Sequence, residues 1–229
     1  MTCRAVTLDF TRTLVHTPDP GGVYARVLAR HGVELPAGEL ERLVPVVWRE
    51  LGCAARPDHD RFAAHPGGAR GFWRHFVARV VELAGGPPPS PFAAAELFEV
   101  FATPAPWQVY GDVRPALAAL RGAGLRLAVV SNWDERLPRL LAALGLAGHF
   151  EAVVVSAEVG VEKPHPRIFE AALERLGLAA DEVVHVGDHE VEDVEGARAV
   201  GLRALRLARE GGGDLSSLEE LPAALPRAR

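Results

Sequence analysis

One lysine and one asparagine set the starting point. The 25 Lys+Arg of the chain include a single lysine, Lys163, and therefore 24 arginines, and the only asparagine is Asn132. Both follow short apolar runs: Asn132 comes two residues after the run at 125–130, with Ser131 between, and Lys163 follows the run at 152–155. Carboxylates occupy comparable places. Asp9 closes the run that begins at Ala5, Asp188 follows Gly187 at the end of another, and Asp193 lies five residues further on. A carboxylate can attack an anionic phosphoryl centre only where cations bring the two together, so such chemistry needs a divalent ion and a fixed positive charge. Asp9 and Asp188 offer the hard oxygens that Mg²⁺ prefers. Lys163 offers a compact point charge, a role that the broad guanidinium fork fills less well. The Ser131 hydroxyl and nearby backbone N–H groups can hold phosphoryl oxygens. Taken singly each residue has a plainer explanation: a strand-end Asp caps a helix, a lone Lys is a solvated charge, a Ser belongs to a turn. Their joint placement favours a site.

The elements that must position these residues can be read from the same runs. Residues 5–9, 125–130, 152–155, 183–186 and 202–207 are short and apolar, as buried strands are. Helix-like stretches at 114–123, 136–144, 166–176 and 191–200 separate the later ones, and Gly124, Gly145, Gly177 and Gly201 follow them as left-handed helix ends. Alternating strands and helices predict an α/β fold with a doubly wound, parallel, Rossmann-like sheet. Ligands of such sheets bind beyond the carboxyl ends of the strands, so the polar residues above would share one crevice. About a hundred residues separate the first strand from the second, far beyond a normal crossover, which requires an inserted module. Prolines at 18, 20, 104 and 106 punctuate its edges. Inside, residues 23–31, 39–51, 71–83 and 92–101 have helical periodicity, the third with an apolar stripe of Phe72, Phe76, Val77, Val80 and Val81. The expected organisation is a core domain from residues 1–15 and 107–229 with a four-helix cap domain at 16–106.

Asp9-Phe10-Thr11-Arg12-Thr13-Leu14, Ser131-Asn132, Lys163-Pro164 and Gly187-Asp188 with Asp193, in chain order and each just past a strand, resemble the four motifs of the haloacid dehalogenase superfamily. The resemblance spans nearly the whole chain. It implies a Mg²⁺-dependent hydrolase, most simply a phosphatase of a small phosphorylated substrate working through an aspartyl-phosphate. It further implies Asp9, Thr11, Ser131 and Lys163 as catalytic residues, and Thr13, Ser131, Asn132 and Lys163 as substrate-binding. The metal would be held by Asp9, the Thr11 carbonyl, Asp188 and Asp193, the last binding it directly or orienting its ligands.

The pattern breaks at Thr11. Most phosphatases of the superfamily carry there a second Asp that protonates the leaving oxygen and then activates water. A threonine hydroxyl cannot do this near neutrality, Arg12 stays protonated, and losing a general acid/base costs about 10²–10⁴-fold in rate. Slow turnover, a persistent phosphoenzyme and a preference for acidic leaving groups are therefore expected, with His189 as a candidate substitute base. Displacement of halide from a 2-haloacid, which needs no acid, is one alternative; a weakly catalytic protein that binds a phosphorylated ligand or a partner is another. Trp48, Arg49, Arg56, Arg70, Trp73 and Arg74 of the cap are candidate leaving-group contacts, though each is also explained by packing or solvation. A net charge of -5 argues against a nucleic-acid partner. No apolar run is long enough for a bilayer, and Cys3 and Cys53 lack metal-ligand spacing, so a cytoplasmic protein away from membranes is expected. Monomer and homodimer are equally compatible with the sequence.

Overall fold

In the computed structural model, which describes residues 3–53 and 58–226, the chain divides into two compact units, Met1–His16 with Val109–Arg229, and Thr17–Gln108. In chain order the elements are β1 (Ala5–Leu8), β2 (Val15–His16), α1 (Pro20–Arg30), α2 (Ala37–Cys53), α3 (Gly68–Leu83), α4 (Pro91–Val100), β3 (Gln108–Val109), α5 (Val113–Gly122), β4 (Arg126–Ser131), α6 (Leu137–Ala143), β5 (Ala152–Val155), α7 (Ser156–Val159), α8 (Pro166–Leu176), β6 (Val183–Gly187), α9 (Gly196–Ala199), β7 (Arg203–Arg206) and α10 (Leu221–Ala224).

The first unit is built on five parallel strands in the order β5-β4-β1-β6-β7, the sheet that the alternating runs predict. All four residues of β1 are buried, as expected of a strand covered on both faces. Leu8 stands in register with Val129 on one side and Val186 on the other. Chain direction therefore delivers Asp9, Ser131 and Asp188 to one edge, at the point where the order of strands reverses on either side of β1. One face of the sheet packs Ala5, Ala128, Val130 and Val154 against Ile168, Phe169 and Ala172 of α8 and Ala197 of α9. Helix α8 is amphipathic because Ile168, Phe169, Ala172 and Leu176 fall on one stripe. It stops at Gly177, whose φ of 59° few other residues would tolerate.

Two boundaries shift by one residue: β1 ends at Leu8, so Asp9 is the first residue beyond it, and β4 continues through Ser131. The expected helix at 191–200 differs more. A π-helical turn covers Glu190–Glu195, where Val194 N–H reaches back to the His189 carbonyl, and only Gly196–Ala199 is α-helical. Such widened turns cluster at functional sites. A Cβ on Gly196 would lie 2.9 Å from Pro164 Cα, so glycine is what lets this turn approach the segment that carries Lys163.

The second unit consists of α1–α4. Asp19 caps α1 through its side chain, which accepts from Gly22 N–H. The predicted stripe of Phe72, Phe76, Val77, Val80 and Val81 is buried within this unit. Trp48 and Trp73 stack on one another at 5.8 Å, and Arg61 lies 4.1 Å over Trp48. Arg70 donates to Glu99 at 2.6 Å and lies over Phe98, while Arg49 reaches the Pro45 carbonyl at 3.4 Å. Arg74 is exposed, and Arg56 lies outside the described residues. No described helix is long and apolar enough to cross a membrane.

Candidate active site

Asp9 is fixed at its backbone by donating N–H to the Val186 carbonyl of β6 at 2.9 Å. Its Oδ1 accepts from the Ser131 hydroxyl at 2.8 Å and from Lys163 Nζ at 2.6 Å. The same ammonium donates to Asp193 Oδ1 at 2.6 Å, so one cation joins two carboxylates of which Asp9 is 7% and Asp193 1% exposed. Asp188 completes the group: Asp9, Asp188 and Asp193 each offer an oxygen within 4.8 Å of the others. Arg12 Nε approaches Asp188 Oδ2 at 3.2 Å.

A buried polar chain runs on from Asp193. Its Oδ1 also meets His185 Nε2 at 3.1 Å, and His185 Nδ1 meets the Thr7 hydroxyl at 2.9 Å. Both Thr7 and His185 are wholly inaccessible, and pairing each with the other satisfies groups that would otherwise cost energy inside the sheet. Asp193 Oδ2 accepts His189 N–H at 2.9 Å.

Asn132 takes hold of Lys163 by its backbone. Its Oδ1 accepts Lys163 N–H at 2.6 Å and its Nδ2 donates to the Lys163 carbonyl and to Glu192 Oε2, each at 3.1 Å. Thr11 Oγ1 accepts the Trp133 indole N–H at 3.0 Å, and Trp133 stands edge-on to Phe10. Thr13 is fully buried, and its hydroxyl has no hydrogen-bond partner among the described residues.

Electrostatics divides these carboxyls. Burial pushes Asp9 above the usual carboxylate range, and the attraction of Lys163 does not cancel it because Asp193 and Asp188 add negative charge. For Asp193 burial is outweighed by Lys163 and His185, which hold it below that range. Burial would lower Lys163, but Asp193 and Asp9 keep it firmly protonated. Asp188 and Glu192 are both raised, chiefly by burial. Lys163 and Asp193 thus form a fully charged pair, and Asp9 and Asp188 are raised carboxyls whose charged form an added divalent cation would favour. Three hard oxygen donors at this spacing fit a Mg²⁺-like ion.

The structure brings the side chains of Asp9, Ser131, Lys163, Asp188 and Asp193 together at one sheet edge. Asn132 is engaged with Lys163 and Glu192, and Thr13 lies inside its loop. His189 is exposed and caps the following turn, its ring accepting from Glu192 N–H. Trp133, Glu192, His185 and Thr7 were not singled out from sequence. A signal existed for His185, since a histidine within a doubly covered strand must find a buried polar partner.

Comparison with known proteins agrees with the fold. The pattern of the haloacid dehalogenase-like hydrolase family matches residues 3–201. The chain is similar to haloacid dehalogenase-like hydrolase domain-containing protein 3 of Mus musculus, 35% identical over 90% of this chain and 82% of that protein. It is similar to a phosphoserine phosphatase of Thermus thermophilus, 41% identical over 60% of this chain and 55% of that protein. Among solved structures it resembles the 2-haloacid dehalogenase of Pseudomonas syringae, with a TM-score of 0.65, 27% identity and coverage of 97% of each chain. The chain belongs to the haloacid dehalogenase-like hydrolase family.

Proposed function

We propose that this protein hydrolyses phosphoric monoesters of small molecules with Asp9 as nucleophile. The observation that carries the proposal is the single ammonium of Lys163, 2.6 Å from both Asp9 Oδ1 and Asp193 Oδ1, beside a third carboxylate. A phosphate dianion can approach three carboxylates only if cations outnumber those already paired, so the donor set calls for a divalent ion. Asp9, Asp188 and the Thr11 carbonyl would hold Mg²⁺, with Asp193 orienting the group because Lys163, His185 and His189 N–H already occupy most of its lone pairs. When bound, the ion would supply positive charge beside Asp9 and the phosphoryl group.

With Asp9 Oδ1 fixed by Ser131 and Lys163, Oδ2 is the oxygen available for attack on phosphorus. The new oxygen–phosphorus bond forms as the ester oxygen leaves, and water protonates that oxygen, since Thr11 cannot. Water then cleaves the aspartyl-phosphate to inorganic phosphate and the Asp9 carboxylate. Lys163 stays protonated throughout, as its two carboxylate partners require. The helical unit, Thr17–Gln108, is proposed as the cap domain of this architecture, and the free Cys3 thiol suits a reducing, cytoplasmic setting.

Thr11 favours a second reading, halide displacement from a 2-haloacid, because that reaction needs no acid. Metal dependence separates the two. A screen of phosphate esters with and without Mg²⁺, beside an Asp9→Asn control, should show Mg²⁺-dependent release of phosphate, greatest for aryl esters. Turnover equal in the Asp9→Asn variant would refute the phosphatase.

A further inference from the structure

Arg209, in the loop after β7, reaches the turn that follows Asp9. Its Nη2 donates to the Thr13 carbonyl at 2.7 Å and its Nε to the Arg12 carbonyl at 3.4 Å. Its remaining fork is anchored: Nη1 donates to Asp112 Oδ2 at 2.9 Å, and its Cζ lies 3.6 Å from the centroid of the Tyr110 ring. Asp112 is held in turn, because Oδ2 also accepts the Ser217 hydroxyl at 3.0 Å and Leu218 N–H at 2.8 Å. Tyr110 adds a second tie, donating its N–H to the Leu14 carbonyl at 3.1 Å. Both charged partners are largely buried, Arg209 20% and Asp112 12% exposed at the side chain.

The turn so gripped needs gripping. Arg12 has a φ of 66°, a left-handed conformation that costs a non-glycine residue about 1–2 kcal/mol and persists only where the surroundings impose it. The guanidinium binds the carbonyls of residues 12 and 13 and leaves that of Thr11 to its own direction. A planar fork with donors on three nitrogens can do this while lying on a ring; an ammonium cannot.

We propose that Arg209 is a positioning residue for the nucleophile loop, fixing the backbone between Asp9 and Leu14, and that Asp112 with residues 217–218 holds Arg209 in place. The C-terminal segment thereby contributes to active-site geometry without touching a reacting group. The activity part of the test rests on the phosphatase reading; the loop part does not.

The decisive variant is Arg209→Ala in the full chain, followed by hydrogen exchange of the peptide covering residues 10–16 and by kinetics with p-nitrophenyl phosphate and Mg²⁺. Exchange in that peptide should rise while β4 and β6 keep their protection. Since small misplacements of a reacting group cost up to about 100-fold, kcat should fall about 10- to 100-fold with KM within about twofold. Millimolar guanidinium should restore part of both properties, and ammonium neither. A residue that merely staples the C-terminal segment would instead lower thermal stability and loosen residues 215–225, with kcat intact. Unchanged exchange at 10–16, or no rescue by guanidinium, overturns the proposal. Should Arg209→Ala not fold, Arg209→Lys retains the charge and is expected to loosen the same peptide; full protection and full kcat in that variant would also overturn it. If the parent shows no Asp9-dependent hydrolysis, the phosphatase reading fails, and exchange at 10–16 with guanidinium rescue still decides the role of Arg209.

Discussion

Removing the one buried ammonium tests the electrostatic core most directly. Lys163→Met keeps the volume of the stem and strands Asp9 and Asp193, two carboxylates that are 7% and 1% exposed, without their shared cation. Breaking a buried ion pair by deleting one partner costs about 3–5 kcal/mol. At about 2–4 °C per kcal/mol for a chain of this size, the melting temperature should drop by about 6–20 °C at pH 8 in the presence of a chelator. The pH dependence carries a sign that packing loss cannot mimic. In the parent, Asp193 is held below the usual carboxylate range, so its contribution is fully present above its unfolded pKa of about 4 and is lost only below that. In the variant, burial without a cation raises the carboxyls, so the cost is largest at high pH and shrinks as pH falls through their raised values. The gap between variant and parent should therefore narrow from pH 8 to pH 5. Asp193→Asn in the Lys163→Met background, by removing one stranded charge, should recover about 1–3 kcal/mol. Thermal melts of the three proteins across this range are sufficient. A Lys163→Met protein melting within about 2 °C of the parent at every pH, against the expected scale, would refute the shared-cation arrangement.

Three further outcomes are expected. Thr11→Asp installs a group able to transfer a proton, so kcat/KM for an alkyl phosphate should rise by about 10²–10⁴-fold while p-nitrophenyl phosphate gains far less; equal gains for both would argue against a missing general acid. Gly187→Ala would place a Cβ 2.1 Å from Asp193 Cγ, forcing that carboxylate away from Lys163; strain of about 1–3 kcal/mol in a urea titration and a collapse of turnover are predicted together. His185→Leu leaves the Thr7 hydroxyl and one side of Asp193 without a donor or acceptor, which should destabilise by about 1–3 kcal/mol; unfolding at unchanged denaturant concentration would dismiss the buried Thr7–His185–Asp193 chain.

How much of this could be read from the residues alone differs by element. The five parallel strands were legible because doubly covered strands are short, unbroken apolar runs, and the polar residues at their ends mark the edge where a site forms. Lys163 was legible for another reason: being the only lysine, it stood out against 24 arginines. The links between side chains were not. Thr7 and His185 lie on neighbouring strands 178 positions apart in the chain, a pairing that no local periodicity encodes. Residues 191–200 carry a helical pattern, yet the first part opens into a π-helical turn, and Gly196 beyond it passes close to Pro164, a residue 32 positions earlier. Asn132 shows the same limit. Its amide clamps the Lys163 backbone, a partner 31 positions away that its place beside Ser131 does not reveal.

The central position of β1 has a consequence for how the chain acquires its shape. The strand that leads to Asp9 is made first, yet its two neighbours are Arg126–Ser131 and Val183–Gly187. Until both exist, Ala5–Leu8 is an apolar segment with two open hydrogen-bonding edges, and closing loops of such length is slow because their entropy must be surrendered before any contact repays it. Until then Ala5–Leu8 is an aggregation-prone stretch of the growing chain. The helical unit lies wholly between these strands in sequence, and it can form while Ala5–Leu8 still waits for its partners.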